Sequence, residues 1–199
     1  MIVKFMGQTS DLTNVSVEER ERELNRIFKS LYTDNNIVQE VTIDGVTYRE
    51  DYDSVLKQRL SQIQNVVIHT IHGDVLVQEM LQELRDYLPR VARAIESISD
   101  LFYGEMSTDD WSLFSQLLEG IGWVDQAVQI VLTQLNRSPG ADLLAEPLAV
   151  FNHRLPQLLS DIEGALERKE YVEVADLMKY EIGELIQRLE QSILARVNI

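Results

Sequence analysis

Few side chains in this chain stand at spacings that catalysis or metal binding would need. The three histidines are His69, His72 and His153. His69 and His72 are three positions apart in a segment that we expect to be a strand, where they would lie on opposite faces. No glutamate is followed three residues later by a histidine, which is the pair that di-iron bundles use. We therefore expect no metal site.

Motifs for nucleophilic catalysis and for phosphate binding are also missing. The sequence has no cysteine, which excludes disulfides, thiolate nucleophiles and zinc–thiolate sites. It contains no G-x-S-x-G motif. Gly120 and Gly122 fall inside a predicted helix rather than after a strand, so they do not form a phosphate-binding loop. These observations disfavour an enzyme and predict no catalytic residue and no cofactor.

Arg85, Arg90 and Arg93 form a basic cluster within an acidic region. Arg90 and Arg93 are three positions apart, so they would share one helix face and could contact an anionic ligand. Ion pairs with Asp86 or Glu96 are the favoured alternative for these arginines.

The net charge of the chain is −15, and all parts contribute to it. Residues 1–72 carry 8 Lys/Arg against 11 Asp/Glu, residues 73–138 carry 4 against 11, and residues 139–199 carry 6 against 11. Such a surface repels nucleic acid and anionic membranes and favours a basic partner protein. No segment approaches the roughly 18 apolar residues of a membrane-spanning helix. We expect a cytoplasmic protein that binds neither nucleic acid nor membrane.

Apolar residues recur every three or four positions from Val77 onward, which predicts long helices packed lengthwise. The first such seam is Val77, Leu81, Leu84, Leu88, Val91, Ile95, Ile98 and Phe102. The second is Phe114, Leu117, Ile121, Val124, Val128, Val131 and Leu135. The third is Leu144, Leu148, Phe151, Leu155, Leu158, Ile162 and Ala165. The fourth is Tyr171, Ala175, Met178, Ile182, Leu185 and Leu189. Together they predict an antiparallel up-down four-helix bundle over about residues 74–197.

Short turns should separate these helices. We expect Asp74 to cap the first helix and Ser107, with Asp110, to cap the second. Pro139-Gly140 should end the second helix. The charged stretch 167–170 breaks the seam register, which predicts a tight exposed turn between the third and fourth helices.

Residues 1–72 predict a small α/β layer. Residues 1–6 could form a strand, and Ser16 with Glu19 matches a capping box for a helix that ends near Asp34. Asp44-Gly45 predicts a tight hairpin within residues 37–48. A short helix over about 51–63 and a strand over 66–71, buried on both faces, would follow.

The predicted order of these elements, β-α-β-β-α-β, suggests a ferredoxin-like unit. The fold class is thus α+β and predominantly α. Its domains are residues 1–72, packed on the bundle, and residues 73–199, the bundle itself.

Tyr103, Trp111 and Trp123 fall off the main seams, on the flanks of the predicted helices. One interpretation is that they dock the α/β layer against the bundle. The other is an exposed recognition surface, because tryptophan and tyrosine dominate the anchors of protein interfaces.

A helix-breaking residue lies near the middle of each predicted helix: Pro89, Gly122, Pro156 and Gly183. In an up-down bundle these midpoints would coincide in height. We expect either a shared bend or a close helix approach at that level, and coincidence is the alternative.

These features favour a non-enzymatic protein–protein interaction module, such as an adaptor, a chaperone-like factor or an antitoxin-like factor. Its partner would be a protein, expected to be basic, and a homodimer is left open. The alternative is a small-molecule-binding or enzymatic bundle with a pocket between the α/β layer and the helices.

Overall fold

Helices make up most of the chain, and a small mixed sheet occupies its N-terminal part. The computed structural model describes residues 1–137 and 144–197. It divides into two compact units, Met1–Leu76 and Val77–Ile199. The prediction of a predominantly helical α+β protein is confirmed.

The N-terminal unit is a five-stranded sheet with two helices. Its strands are β1 (Ile2–Phe5), β2 (Gln8–Asp11), β3 (Asn36–Ile43), β4 (Val46–Tyr48) and β5 (Asn65–His72), and its helices are α1 (Val17–Thr33) and α2 (Tyr52–Arg59). The strand order is β2-β1-β5-β3-β4. β1 and β5 pair in parallel, and the other neighbours pair antiparallel. The sheet is therefore mixed.

This topology corrects the ferredoxin-like expectation. A polar strand, β2, stands before the first helix and pairs with β1, so the unit begins β-β-α rather than β-α-β. With the first and last strands parallel at the centre and a long helix between two hairpins, the topology is that of a β-grasp fold.

One face of the sheet is covered by the helices. Buried residues of the strands, such as Val66 and Ile68, join buried residues of α1 and α2 in one apolar cluster. The expectation that β5 is buried on both faces is wrong, since His69 is exposed and Val67 only half-buried. Buried and less buried residues alternate along the first half of β5 because the helices cover only one face of the sheet.

The capping box and the hairpin turn form as their residues predict. The Ser16 hydroxyl accepts from the Glu19 amide at 3.2 Å, and the Glu19 carboxylate accepts from the Ser16 amide at 3.2 Å. Asp44 and Gly45 have φ angles of 47° and 87°. Positive φ at both positions suits the twist of the hairpin between β3 and β4.

The remaining helices begin where β5 ends. They are α3 (Gly73–Leu101), α4 (Thr108–Leu135), α5 (Ala145–Glu167), α6 (Tyr171–Asp176), a π-helical segment (Leu177–Ile182) and α7 (Gly183–Val197). Asp74 is not the N-cap of α3 as expected, because it already lies in the first turn, where its amide donates to His72 Nδ1 at 3.3 Å. A side chain at position 73 would collide with Asn35, which explains the glycine there.

The four seams form one apolar cluster in the C-terminal unit. Nearly every predicted seam residue is buried; the exceptions are the half-buried Leu135 and Tyr171, which is 36 % exposed. The predicted cap of α4 and the predicted turn before α6 are both present, and Lys169 takes a φ of 60° in that turn. The predicted stop at Pro139-Gly140 lies outside the described residues. Within residues 1–137 and 144–197, none of the helices has both the length and the apolar character needed to cross a membrane.

Candidate functional site

Aromatic rings gather where three helix ends of the C-terminal unit meet. Phe102, 1 % exposed, follows α3 and forms the centre of this group. Its ring lies 5.0 Å from that of Phe114, 5.6 Å from that of Trp111 and 6.4 Å from that of Tyr171. The first two contacts have the edge-to-face geometry that aromatic pairs favour. The rings are therefore held rigidly on a buried base.

Local capping explains how these rings reach the same place. Ser107 and Asp110 form a capping box that begins α4, and Trp111 sits directly behind it in the first turns of that helix. Hydrogen bonds from Ser107 hold the pKa of the Asp110 carboxyl below its usual range. The Lys169 turn begins α6 at Tyr171, whose ring lies 6.0 Å from that of Trp111.

Part of this group is exposed and continues into a groove. We call the aromatic patch the five exposed residues Tyr103, Trp111, Tyr171, Val172 and Tyr180. Val172 and Tyr180 are the most open of them, at 59 % and 60 % exposure. Three of the five line an open groove of about 730 Å³ along α6 and the π-helical segment. The patch thus offers apolar surface beside a concave site.

A hydrogen bond joins Tyr103 to Asp176, a residue that lines this groove. Its hydroxyl donates to Asp176 Oδ1 at 2.7 Å. This bond to the carboxylate raises the pKa of the Tyr103 phenol, and burial and the Asp176 charge add to the effect. The bond ties the C-terminal end of α3 to α6.

The π-helical segment positions Tyr180. Lys179, which precedes it, pairs with Asp100 of α3 at 2.7 Å, and Glu181, which follows it, pairs with Arg154 of α5 at 2.8 Å. A π turn takes more residues than an α turn, so three successive side chains spread over a smaller arc. The two flanking ion pairs leave Tyr180 between them, pointing to solvent.

Trp123, the third predicted surface aromatic, stands elsewhere. It is 12 positions beyond Trp111 on α4, about 18 Å along the helix. Its ring packs edge-on against Tyr87 at 4.9 Å. The Tyr87 hydroxyl occupies the space above Gly120, only 2.6 Å from where a Cβ would be. The structure therefore places both Tyr103 and Trp111 against α6, through Asp176 and Tyr171, and leaves Trp123 in a separate contact.

The arginine cluster shows one ion pair and one ring contact. Arg85 pairs with Asp86 at 3.3 Å, in line with the favoured alternative. The guanidinium of Arg90 lies over the Tyr87 ring at 5.0 Å, and Arg93 is exposed. The predicted anion contact by Arg90 and Arg93 stays a prediction.

The four mid-helix breakers differ in their surroundings. Pro89 and Pro156 lie inside α3 and α5, which continue past them. Gly183 directly follows the π-helical segment. A Cβ on Gly122 would meet nothing within 4 Å, whereas a Cβ on Gly120 would meet the Tyr87 hydroxyl. The expected close helix approach stays a prediction. A shared bend stays a prediction.

The histidines and the crevice of the N-terminal unit add little chemistry. His69, His72 and His153 are all exposed, and no group of three or more His, Asp or Glu in the described ranges could hold a metal ion. A crevice between α1 and α2 measures about 130 Å³. That is below the roughly 300–1,000 Å³ of small-molecule sites.

Sequence reasoning missed three members of the patch. The fourth seam places Tyr171 in the core, and no pattern in the sequence distinguishes Val172 and Tyr180. Exposed apolar positions next to a seam are common, so they gave no signal by themselves. The π-helical segment also left none, because the three-and-four spacing of Ala175, Met178 and Ile182 continues through it.

The family of this protein is identified from its helical C-terminal unit. Residues 79–192 match a family model described as "Domain of unknown function (DUF8042)". The match covers more than half of the chain, and the chain belongs to this family. It includes the whole aromatic patch and leaves out the sheet of the N-terminal unit. No curated protein matches the chain, and no solved structure does.

Proposed function

We propose that this protein is a non-enzymatic protein–protein interaction module and that it binds its partner through the aromatic patch. The observation that carries this proposal is the gathering of five exposed apolar and aromatic residues from the turn after α3, from α4, and from α6 with its π-helical continuation. Tyrosine and tryptophan are the residues that most often anchor protein interfaces. Such a group at one site favours docking over chance exposure.

The rigidity of the patch supports the same proposal. Trp111 and Tyr171 rest on the buried ring of Phe102, and Tyr103 is held by Asp176. A binding surface that is already ordered loses less conformational entropy when a partner docks. The patch is therefore suited to binding without rearrangement.

We also propose that the C-terminal unit is the antiparallel up-down four-helix bundle that its seams predict. In support, the end of α3 meets the beginnings of α4 and α6 at the patch. Residues near the beginning of α5 share a groove with residues near the end of α7, including Glu146 and Ala195. Both relations agree with neighbouring helices that run in opposite directions.

A paramagnetic label tests this arrangement. The chain has no cysteine, so Glu146→Cys gives a single labelling site on an exposed position of α5. We expect the label to broaden the amide signals near Ala195 and to spare those near Tyr171. Broadening near Tyr171 instead would rule out antiparallel packing of α5 and α7.

Two exposed valines provide a matched test of the interaction proposal. Val172, in the patch, and Val150, on α5, are 59 % and 42 % exposed. An aspartate at position 172 would stand in the first turn of α6, where a negative charge is favourable, so folding should persist. In affinity capture from the native host with mass spectrometry, Val172→Asp should lose a specific partner that wild type and Val150→Asp both retain.

Circular dichroism of both variants checks that they are folded. Equal partner recovery with Val172→Asp and with wild type would refute binding through the patch. Loss of the partner with Val150→Asp alone would show that the partner binds instead at the groove between the beginning of α5 and the end of α7, which Val150 lines.

A further inference from the structure

We propose that the partner inserts a lysine or arginine side chain into the groove, where Asp176 binds its charge and the rings of Tyr103 and Tyr180 contact its aliphatic part. This inference rests on the proposed function and specifies the partner's chemistry: a protein segment in which a basic residue stands beside an apolar one. The apolar residue would occupy the exposed surface formed by Tyr171 and Val172.

Asp176 has the position that such a site needs. It lines the groove together with Tyr171, Val172 and Tyr180. Val172 and Asp176 are four positions apart, so they lie on one face of the helix. Oδ1 of Asp176 accepts the Tyr103 hydroxyl, a neutral donor that leaves the carboxylate its charge. The groove therefore has a carboxylate that shares its lining with Tyr180 and is held by the Tyr103 hydroxyl.

The other carboxylates of the groove already have cationic partners. Arg168 pairs with both Glu170 and Glu173, and Arg154 pairs with Glu181. Among the described residues, no lysine or arginine forms an ion pair with Asp176. Its neighbour Lys179 is held by Asp100 instead. Asp176 is thus the groove carboxylate whose charge an incoming cation would neutralise.

The aromatic rings strengthen the case for a cation. A lysine or arginine placed over a tyrosine ring gains a cation–π interaction, and its aliphatic stem covers apolar surface while its charged end remains near water. Tyr180 is 60 % exposed and available for this contact. A carboxylate beside two tyrosines matches both parts of a basic side chain.

The charge of the whole unit favours the same partner. Residues 77–199 carry 10 Lys/Arg against 21 Asp/Glu, a net charge of −11. Such a field attracts a basic segment and raises its rate of association, and it repels nucleic acid. The negative charge of the unit would therefore attract a basic partner at long range, and Asp176 would bind its basic side chain in the groove.

A peptide library with random sequences, displayed on phage, tests the inference with a defined probe. The full-length protein is immobilised, and enriched peptides are compared between wild type, Asp176→Asn and Glu173→Gln. The two substitutions remove the same charge from the same groove, but Glu173 is already paired with Arg168. We expect peptides with lysine or arginine next to an apolar residue. Their affinity should fall roughly tenfold with Asp176→Asn and less than about twofold with Glu173→Gln, and should weaken with salt.

Val172→Asp identifies the peptides that use the patch. Enriched peptides that need Val172 but contain no basic residue, or that bind Asp176→Asn as well as wild type, would overturn this inference and leave the proposed function standing. If no peptide depends on Val172, both are overturned. A wild-type dimer in sedimentation that Val172→Asp dissociates, without any basic peptide bound, would show a second copy as the occupant and overturn the inference.

Discussion

Trp111 and Trp123 stand on the same helix, yet their surroundings differ. Trp123 packs on Tyr87, whose hydroxyl fills the space above Gly120. Trp111 packs on Phe102 and Tyr171, with 36 % of its surface exposed. Both lie off the apolar seam, so sequence position alone does not distinguish an extension of the core from a partly exposed surface residue. The neighbouring residues make that distinction.

The largest expected effect comes from removing the base of the aromatic patch. Phe102→Ala should lower the free energy of unfolding by about 3–5 kcal/mol, because a fully buried ring leaves a cavity. Urea denaturation followed by circular dichroism measures the loss. Tyr103→Ala, at the exposed neighbour, should cost less than about 1 kcal/mol. Similar losses for the two variants would show that the patch is not supported by the core.

Two glycines sharpen the comparison at the other tryptophan. Gly120→Ala should destabilise the protein, since its Cβ would force the Tyr87 hydroxyl away from its place beside Trp123. Overpacking lowers the free energy of unfolding by about 1–3 kcal/mol. The better helix propensity of alanine offsets up to about 1 kcal/mol of this loss. Gly122→Ala meets no neighbour and should stabilise α4 by up to about 1 kcal/mol. Gly120→Ala should therefore be less stable than Gly122→Ala by about 1–3 kcal/mol, the cost of overpacking.

A double mutant identifies the cause. Tyr87→Phe removes the hydroxyl that the new Cβ would meet, so Gly120→Ala should cost much less in that background. Thermal unfolding of the four proteins in the cycle gives the coupling. If the effects of Gly120→Ala and Tyr87→Phe on stability are additive, the contact between the new Cβ and the Tyr87 hydroxyl is not the cause of the destabilisation.

The smallest effect is a shift in the titration of Tyr103. Its pKa is raised by the hydrogen bond to Asp176, so the neutral phenol is favoured in the folded protein. That stabilisation is present below the usual tyrosine pKa near 10 and is lost as pH rises through the higher folded value. Asp176→Asn should lower the Tyr103 pKa, measured by phenolate absorbance with Tyr103→Phe as the reference among seven tyrosines. An unchanged titration would mean that the bond does not form in solution.

The elements that could be predicted from the sequence are those with a regular spacing of apolar residues or a recognisable capping motif. The long helices followed from seams that repeat every three or four residues, and α1 followed from the Ser16 capping box. β2 was missed because its residues, Gln8–Asp11, are polar and do not alternate in hydropathy. It is a strand through its backbone pairing with β1, which no side-chain pattern records.

The patch was found only in part for a related reason. Tyr103 and Trp111 were recognised by residue type and off-seam position. The position of Tyr180 depends on the ion pairs of its neighbours Lys179 and Glu181 with Asp100 and Arg154, which are distant in sequence. Contacts between distant positions decide which exposed residues share a surface, and a single sequence does not contain them.

The short strands at both edges of the sheet bear on aggregation. An unpaired edge offers backbone amides and carbonyls to other chains, and long flat edges can nucleate intermolecular sheets. Here the edge strands are β2, with 4 residues of polar character, and β4, with 3. Each is too short to template an extended ladder. We expect the N-terminal unit to resist edge-to-edge assembly at concentrations where a longer, apolar edge would form fibrils.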